Sequence, residues 1–232
     1  SKGHFNLEEV FPKDHIIAYV EKSLQNIGCD KIDLMQFHVW EDRWAENDEW
    51  KEAIDQLKRQ GKVQAFGISV NRWQPNNCLN TLKTGFIDSV QVIYNIFDQS
   101  PEDKLFPLCK ALNIGTIARV PFDEGTLTGN ITLDTTFEEG DWRNSYFVPE
   151  NLKSSVARAE ALKEVIPEGY TMSEVALKFI LHNDAVSTVI PGMRKSQHVK
   201  SNLACSGHTL PKKLLNQLKE HRWDRQPTSW SQ

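Results

Sequence analysis

Apolar positions along the chain alternate between two rhythms. Stretches with an apolar residue every three or four positions mark the stripe of an amphipathic helix. They give way to short runs rich in Val, Ile and Phe, as expected of strands buried on both faces. Ile16, Val20, Leu24 and Ile27 form the first stripe and predict a helix over His15–Ile27, closed by Gly28 as a left-handed cap. Ile32–Phe37 then reads as a strand. The order repeats with the helix Trp50–Arg59, ended near Gly61, and the strand Val63–Ser69. It repeats again with Asn77–Lys83, stopped at Gly85, and Ser89–Tyr94, then with Glu102–Leu112 and Ile114–Val120. The last unit is longer: helices Asn151–Val165 and Ser173–His182 precede the strand Val186–Ile190, halted by Pro191 and Gly192. Helices Gln197–Ala204 and Lys212–His221 follow.

Strands joined by crossover helices predict a parallel α/β fold. The early repeats are spaced by roughly 25 to 32 residues, the size of one unit of a (β/α) barrel. An open doubly wound sheet is the competing fold, but no GxGxxG follows any of these strands. Gly125-Thr126-Leu127-Thr128-Gly129 has neither that spacing nor an immediate helix. The stretch Gly125–Asn144 is too long for an ordinary connection and reads as a lid or ligand loop.

A chain of 232 residues with 39% apolar residues can bury one substantial core, so a single domain over 1–232 is expected. Its formal net charge of −4, with Lys and Arg scattered, argues against nucleic acid as a partner. No run of 18 apolar residues suggests a membrane span, and the start of the sequence lacks the pattern of a secretion signal. A cytoplasmic location is the expectation. Cys29, Cys78, Cys109 and Cys205 show no paired spacing, so no metal site is expected and the four read as reduced structural thiols.

In a barrel the chemistry gathers at the C-terminal ends of strands. The polar residues there are His38, Ser69 with Asn71, Tyr94 with Asn95, Arg119, and Gly192-Met193-Arg194, while Gln91 lies within a strand. Taken singly, His38 reads as a satisfied strand-end histidine, Ser69 and Asn71 as turn closers, and Arg119 as an ion-pair partner. Trp40, Trp44 and Trp50 with Glu41, Asp42 and Arg43 are either one wall of a substrate mouth or a packed loop with solvated charges.

At these residues the sequence resembles the aldo-keto reductase superfamily. Ser23–Leu34 followed by His38, Gly61–Ser69, Val90–Asn95, Ile117–Phe122 with Gly125–Gly129, and Val186–Arg194 with Asn202 agree with family motifs in order and spacing. The resemblance implies a TIM (β/α)8 barrel that binds NADP without a Rossmann domain and reduces an aldehyde or ketone to an alcohol with NADPH. It matches Lys2 and His38 to the catalytic lysine and histidine. The family's aspartate and tyrosine belong before residue 1. By this comparison the first two βα units and most of strand 3 are absent from the sequence, and no carbonyl reduction is expected if the polypeptide begins at Ser1.

The resemblance puts Ser69, Asn71 and Gln91 on the nicotinamide carboxamide, with Val70 separating a Ser and Asn that many relatives have adjacent. Arg119 stands where many members carry a stacking aromatic. Pro121, Gly125, Leu127 and Gly129 fall on the pyrophosphate loop, where backbone amides approach the ligand. Gly192, Met193, Arg194, Lys195, His198 and Asn202 surround the adenosine end, and two cations there favour a 2′-phosphate and hence NADPH over NADH. The partner implied is a small-molecule carbonyl substrate; oligomeric state is not readable. Two other functions are to be distinguished. One is a non-catalytic NADP-binding barrel with a regulatory role. The other is a barrel hydrolase using Glu41-Asp42 or Asp123-Glu124.

Overall fold

The computed structural model describes residues 11–207 and 209–225. Lys2 therefore lies outside the described residues. The chain forms two compact units, the first running up to Val92 and including Lys104–Thr116, the second made of Ile93–Asp103 and the chain from Ile117 onward.

In the first unit, α1 (Lys13–Ile27) buries Ile16, Val20 and Leu24, the predicted stripe. Gly28 caps it at φ 75°, donating its N–H to the Leu24 carbonyl at 2.9 Å. β1 (Ile32–Trp40), β2 (Val63–Val70) and β3 (Ser89–Ile93) pair in parallel, in that order. α2 (Glu49–Arg59) and α3 (Leu79–Lys83) form the crossovers. α4 (Leu105–Leu112) starts later than the predicted Glu102. The reason is Pro107, whose missing N–H and bulky ring are tolerated in the first turn of a helix and not deeper. Ser100–Glu102 instead makes a short 3-10 turn in the second unit.

An aromatic cluster forms much of this unit's core. Phe37 stacks on Phe66 with ring centres 5.8 Å apart, and Trp40 meets Trp44 and Trp50 edge-on at 5.5 and 5.1 Å. Trp40, Trp44 and Trp50 are 0, 5 and 1% exposed, so they are packed core and not a wall of a mouth. Their polar atoms are largely accounted for: the Trp40 indole donates to Thr81 Oγ1 and the Trp50 indole to the Trp44 carbonyl, each at 2.8 Å.

In the second unit, β4 (Gly115–Arg119) pairs in parallel with β5 (Thr188–Val189) through Ile117↔Thr188 and Ala118↔Val189. β5 is shorter than the predicted Val186–Ile190. Asn183 draws the preceding residues into a turn, accepting from the Ala185 amide on Oδ1 and from the Val186 amide on its carbonyl. A 3-10 segment, Asp123–Thr128, follows β4.

The long connection beyond it is not structureless. It ends in α5 (Arg143–Tyr146), and Ile131, Tyr146 and Phe147 form a small core of their own. Phe137 packs against this core, together with Leu152 and Val156 of α6 (Pro149–Lys163). α7 (Met172–His182), α8 (Ser196–Ala204) and α9 (Lys212–Lys219) complete the unit. Among the described residues no helix is long and apolar enough to cross a membrane. Cys78, Cys109 and Cys205 are buried thiols whose ionisation burial pushes up.

Candidate active site

His38 lies inside β1, two residues from its end, where the sequence reading had ended the strand at Phe37. The register breaks between Phe37 and Trp40, and Val39 sits at φ 56°. A β-branched residue rarely adopts this left-handed backbone, and such a bulge re-aims the neighbouring side chain. The His38 side chain is exposed. Local strain thus presents an imidazole near the end of β1.

The same unit holds a short chain of polar side chains. Gln91 Nε2 donates to Ser69 Oγ at 3.5 Å, and Gln36 Nε2 donates to Gln91 Oε1 at 3.4 Å. Both contacts are long, and Gln36 Oε1 is buried with no hydrogen-bond partner among the described residues. Buried amides are normally paired, so this oxygen marks a place where polar chemistry is unfinished. The three residues converge because of Gly67. It lies level with Gln36 on one side and Ser89 on the other. A Cβ there would collide with the Ser89 hydroxyl and come within 3.1 Å of the Ser89 carbonyl and 3.2 Å of Gln36 Cγ. Gln36 was missed from the sequence; its signal was an amide set in an otherwise apolar strand. Asn71 does not join this group. Its Oδ1 accepts the Trp73 amide at 2.9 Å and its carbonyl the Gln74 amide at 3.3 Å, so it closes the turn after β2.

In the second unit, Arg119 ends β4, its carbonyl accepting the Tyr94 amide at 3.4 Å. Val120 follows at φ 54° and Pro121 is buried. Gly125 and Leu127 lie in the 3-10 segment and Gly129 caps it, but their amides do not face outward. Gly125 and Leu127 donate to the Phe122 carbonyl at 2.9 Å each, and Gly129 donates to that of Thr126 at 3.2 Å. Leu127 is fully buried. The expected cradle of free amides is a self-satisfied turn.

That turn is anchored by charges the sequence reading did not connect. Arg225, beyond α9, bonds Asp123 at 2.8 Å, Asp98 at 2.6 Å and the Tyr146 hydroxyl at 3.0 Å. Burial alone would favour the neutral guanidine, but Asp123 and Asp98 outweigh it and hold Arg225 charged.

Beyond β5, Gly192, Met193, Arg194, Lys195 and His198 are all exposed. Asn202 Nδ2 donates to the Gly192 carbonyl at 3.2 Å and holds this segment against α8. α8 begins at Ser196 with no side-chain cap and no acidic residue in its first turn. The N–H groups of that turn have no intrahelical acceptor, so an uncapped, positive helix end lies beside two cations. Arg194 also lines a recess of about 470 Å³ with Gly140, Asp141, Trp142 and Arg143. Trp142 there is 55% exposed. Arg143 grips Asp141 through Nε at 3.0 and 3.1 Å and through Nη2 at 2.5 Å, and this holds the Asp141 carboxyl down to about 2.

The acidic pairs considered for hydrolysis are committed elsewhere. Asp42 caps α3, accepting the Thr81 amide and hydroxyl at 2.8 and 2.9 Å and the Asn80 amide at 3.0 Å, while Glu41 pairs with Arg43. Asp123 is fully buried against Arg225. Neither pair presents two carboxyls to one bond.

Parallel strands joined by helices, with polar side chains at strand ends, are shared with (β/α) barrels, whose chemistry sits at that rim. The sequence profile described as the aldo/keto reductase family matches residues 7–222, and the chain belongs to that family. It is similar to the uncharacterized oxidoreductase YqkF of Bacillus subtilis (strain 168), 31% identical over 212 residues, covering 90% of this chain and 66% of that protein. It is also similar to the NADH-specific methylglyoxal reductase of Escherichia coli (strain K12), 27% identical over 206 residues, covering 87% of this chain and 62% of that protein. The chain thus spans less than two thirds of these relatives' length. Among solved structures it resembles the holo form of an aldo-keto reductase from Bacillus halodurans. That match has a TM-score of 0.74 and 26% identity, covering 98% of this chain and 72% of that one. The fold is therefore the aldo-keto reductase type of α/β barrel.

Proposed function

We propose that this protein binds a nicotinamide dinucleotide and serves the NADPH-dependent reduction of an aldehyde or ketone to an alcohol. The observation that carries the reading is the start of α8, where Arg194 and Lys195 flank an uncapped helix end free of acidic residues. Positive charge, orphan amides and exposure together suit a phosphate monoester, and this supports NADPH over NADH. The Escherichia coli relative is described as NADH-specific, so the preference has to be tested on this chain. In the first unit, the Gln36 Oε1 that has no partner among the described residues, with the long contacts of Gln91 beside Ser69, suits a carboxamide, which offers both donors and an acceptor.

A bound nicotinamide supplies the hydride. His38, exposed on its bulge, would donate a hydrogen bond to the carbonyl oxygen and orient it. By the sequence resemblance, the ammonium of Lys2 would lower the pKa of a tyrosine acid. The substrate is a small carbonyl compound.

Titration with NADPH and NADH, followed by coenzyme fluorescence, tests the reading. Tighter binding of NADPH, narrowed by Arg194→Ala with Lys195→Ala, is the expected result. Equal affinity for both coenzymes would overturn the NADPH assignment, and absence of binding would overturn the function. Binding without consumption of NADPH in the presence of aldehydes would favour the non-catalytic reading.

A further inference from the structure

Three segments of the second unit meet at one buried guanidinium. The turn after β3 brings Asp98, the turn after β4 brings Asp123, and α5 brings Tyr146. Arg225 bonds all three at 2.6, 2.8 and 3.0 Å. The Arg225 and Asp123 side chains are 3% and 0% exposed, and Asp98 is 12% exposed, so these are desolvated contacts and not a surface ion pair. Arg225 is itself held in place. Its guanidinium lies 4.5 Å from the Trp223 ring centre, the Trp223 ring takes a second cation from Arg158 at 4.3 Å, and the Trp223 amide donates to the Phe97 carbonyl at 2.8 Å.

What this guanidinium holds is a backbone under strain. Val120, Asp123 and Glu124 all have positive φ, at 54, 45 and 57°. Non-glycine residues keep such angles only where surrounding contacts over-determine them. Asn95 Nδ2 adds a bond to the Val120 carbonyl at 3.0 Å, and Asn95 also bonds Asp98 through Nδ2 at 3.0 Å. The strained stretch runs from Val120 to Gly129, which the sequence resemblance places on the coenzyme.

We infer that Arg225 is a positioning residue for coenzyme binding: it never touches the ligand, but fixes the β4 loop and α5 in the conformation that receives it. The inference rests on the coenzyme reading above. Without the guanidinium, Asp98 and Asp123 lose the Arg225 contact that ties their two turns together, and the loop is released.

The test compares NADPH affinity with thermal stability in the wild type, Arg225→Lys, Arg225→Met and Tyr146→Phe. If the wild type binds no NADPH, the proposed function fails and not this inference. Given wild-type binding, the expected result is at least a tenfold rise in Kd for Arg225→Met, measured well below its Tm. Arg225→Lys, which keeps the charge, recovers part of that loss. A residue that only stabilises the fold would lower Tm and leave the Kd of the folded protein unchanged, and that outcome overturns the inference. Should Arg225→Met fail to fold, Tyr146→Phe decides. It removes the tie to α5 without stranding a charge; a higher Kd supports the inference and an unchanged Kd overturns it.

Discussion

Gln36 and Gln91 meet above Gly67, the Nε2 of the first donating to the Oε1 of the second at 3.4 Å. Gln36 Oε1 is buried with no hydrogen-bond partner among the described residues. Replacing Gln36 by Met removes that group at similar volume. The expected outcome is unchanged or slightly raised stability in denaturant, together with weaker NADPH binding, by about 1 to 3 kcal/mol if a ligand amide completes the pairing. Loss of stability without loss of affinity would show that the glutamine is purely structural.

Gly67→Ala places a methyl group against Ser89 and Gln36. It should destabilise by about 1 to 3 kcal/mol, the usual cost of overpacking. Because the closest obstacle is a side-chain hydroxyl, Ser89→Ala in the same chain should restore part of the loss. Urea unfolding of the two single variants and the double variant reads this out.

Thr81 Oγ1 accepts the Trp40 indole and donates to Asp42 in a fully buried position. Thr81→Val keeps the shape and strands the Trp40 indole, while Asp42 keeps the backbone amides of residues 80 and 81. The expected cost is about 1 to 3 kcal/mol for the buried donor left unmatched, seen as a lower Tm. Thr81→Ser should retain most of the stability.

His38→Ala should leave NADPH affinity nearly unchanged and lower kcat by about a hundredfold, the range for losing one donor to a developing oxyanion. Equal losses in coenzyme binding and turnover would place His38 in the coenzyme site instead.

His221 is half-buried, and burial pushes its pKa below the ordinary 6.5, with Arg158 adding to the effect and Glu220 opposing it. The folded state therefore prefers the neutral ring. Between the folded and unfolded values the unfolded chain binds more protons, so stability rises with pH there. The contribution is complete above about pH 6.5 and is lost as pH falls toward the folded value. Denaturation midpoints of His221→Gln should show a shallower loss than the wild type across that window. Parallel curves would refute the assignment.

The periodic elements were legible from the chain because their apolar spacing reflects direct burial, as in Ile16, Val20 and Leu24. Ser69 and Gln91 were legible for the same reason, being polar residues on strands otherwise apolar. Three features were not. The bulge at Val39 depends on a backbone angle that valine gives no hint of. The free amides expected from Gly125, Leu127 and Gly129 turned inward, since a glycine-rich loop can satisfy itself as readily as a ligand. Arg225 lies more than a hundred residues from Asp98 and Asp123 in sequence, so no local pattern could join them. Pro107 is different: its place in the helix was readable and sets the start of α4.

The tie at Arg225 also bears on how the second unit can be altered. Exchanging the β4 turn alone for one with no acid at the place of Asp123 would leave Arg225 facing Asp98 alone. Grafts that carry the turn after β3, the turn after β4, α5 and the segment around Trp223 together would keep the charges matched. In this protein those pieces share one cation, so redesign that treats them as separate loops will lose folding before it gains a new preference.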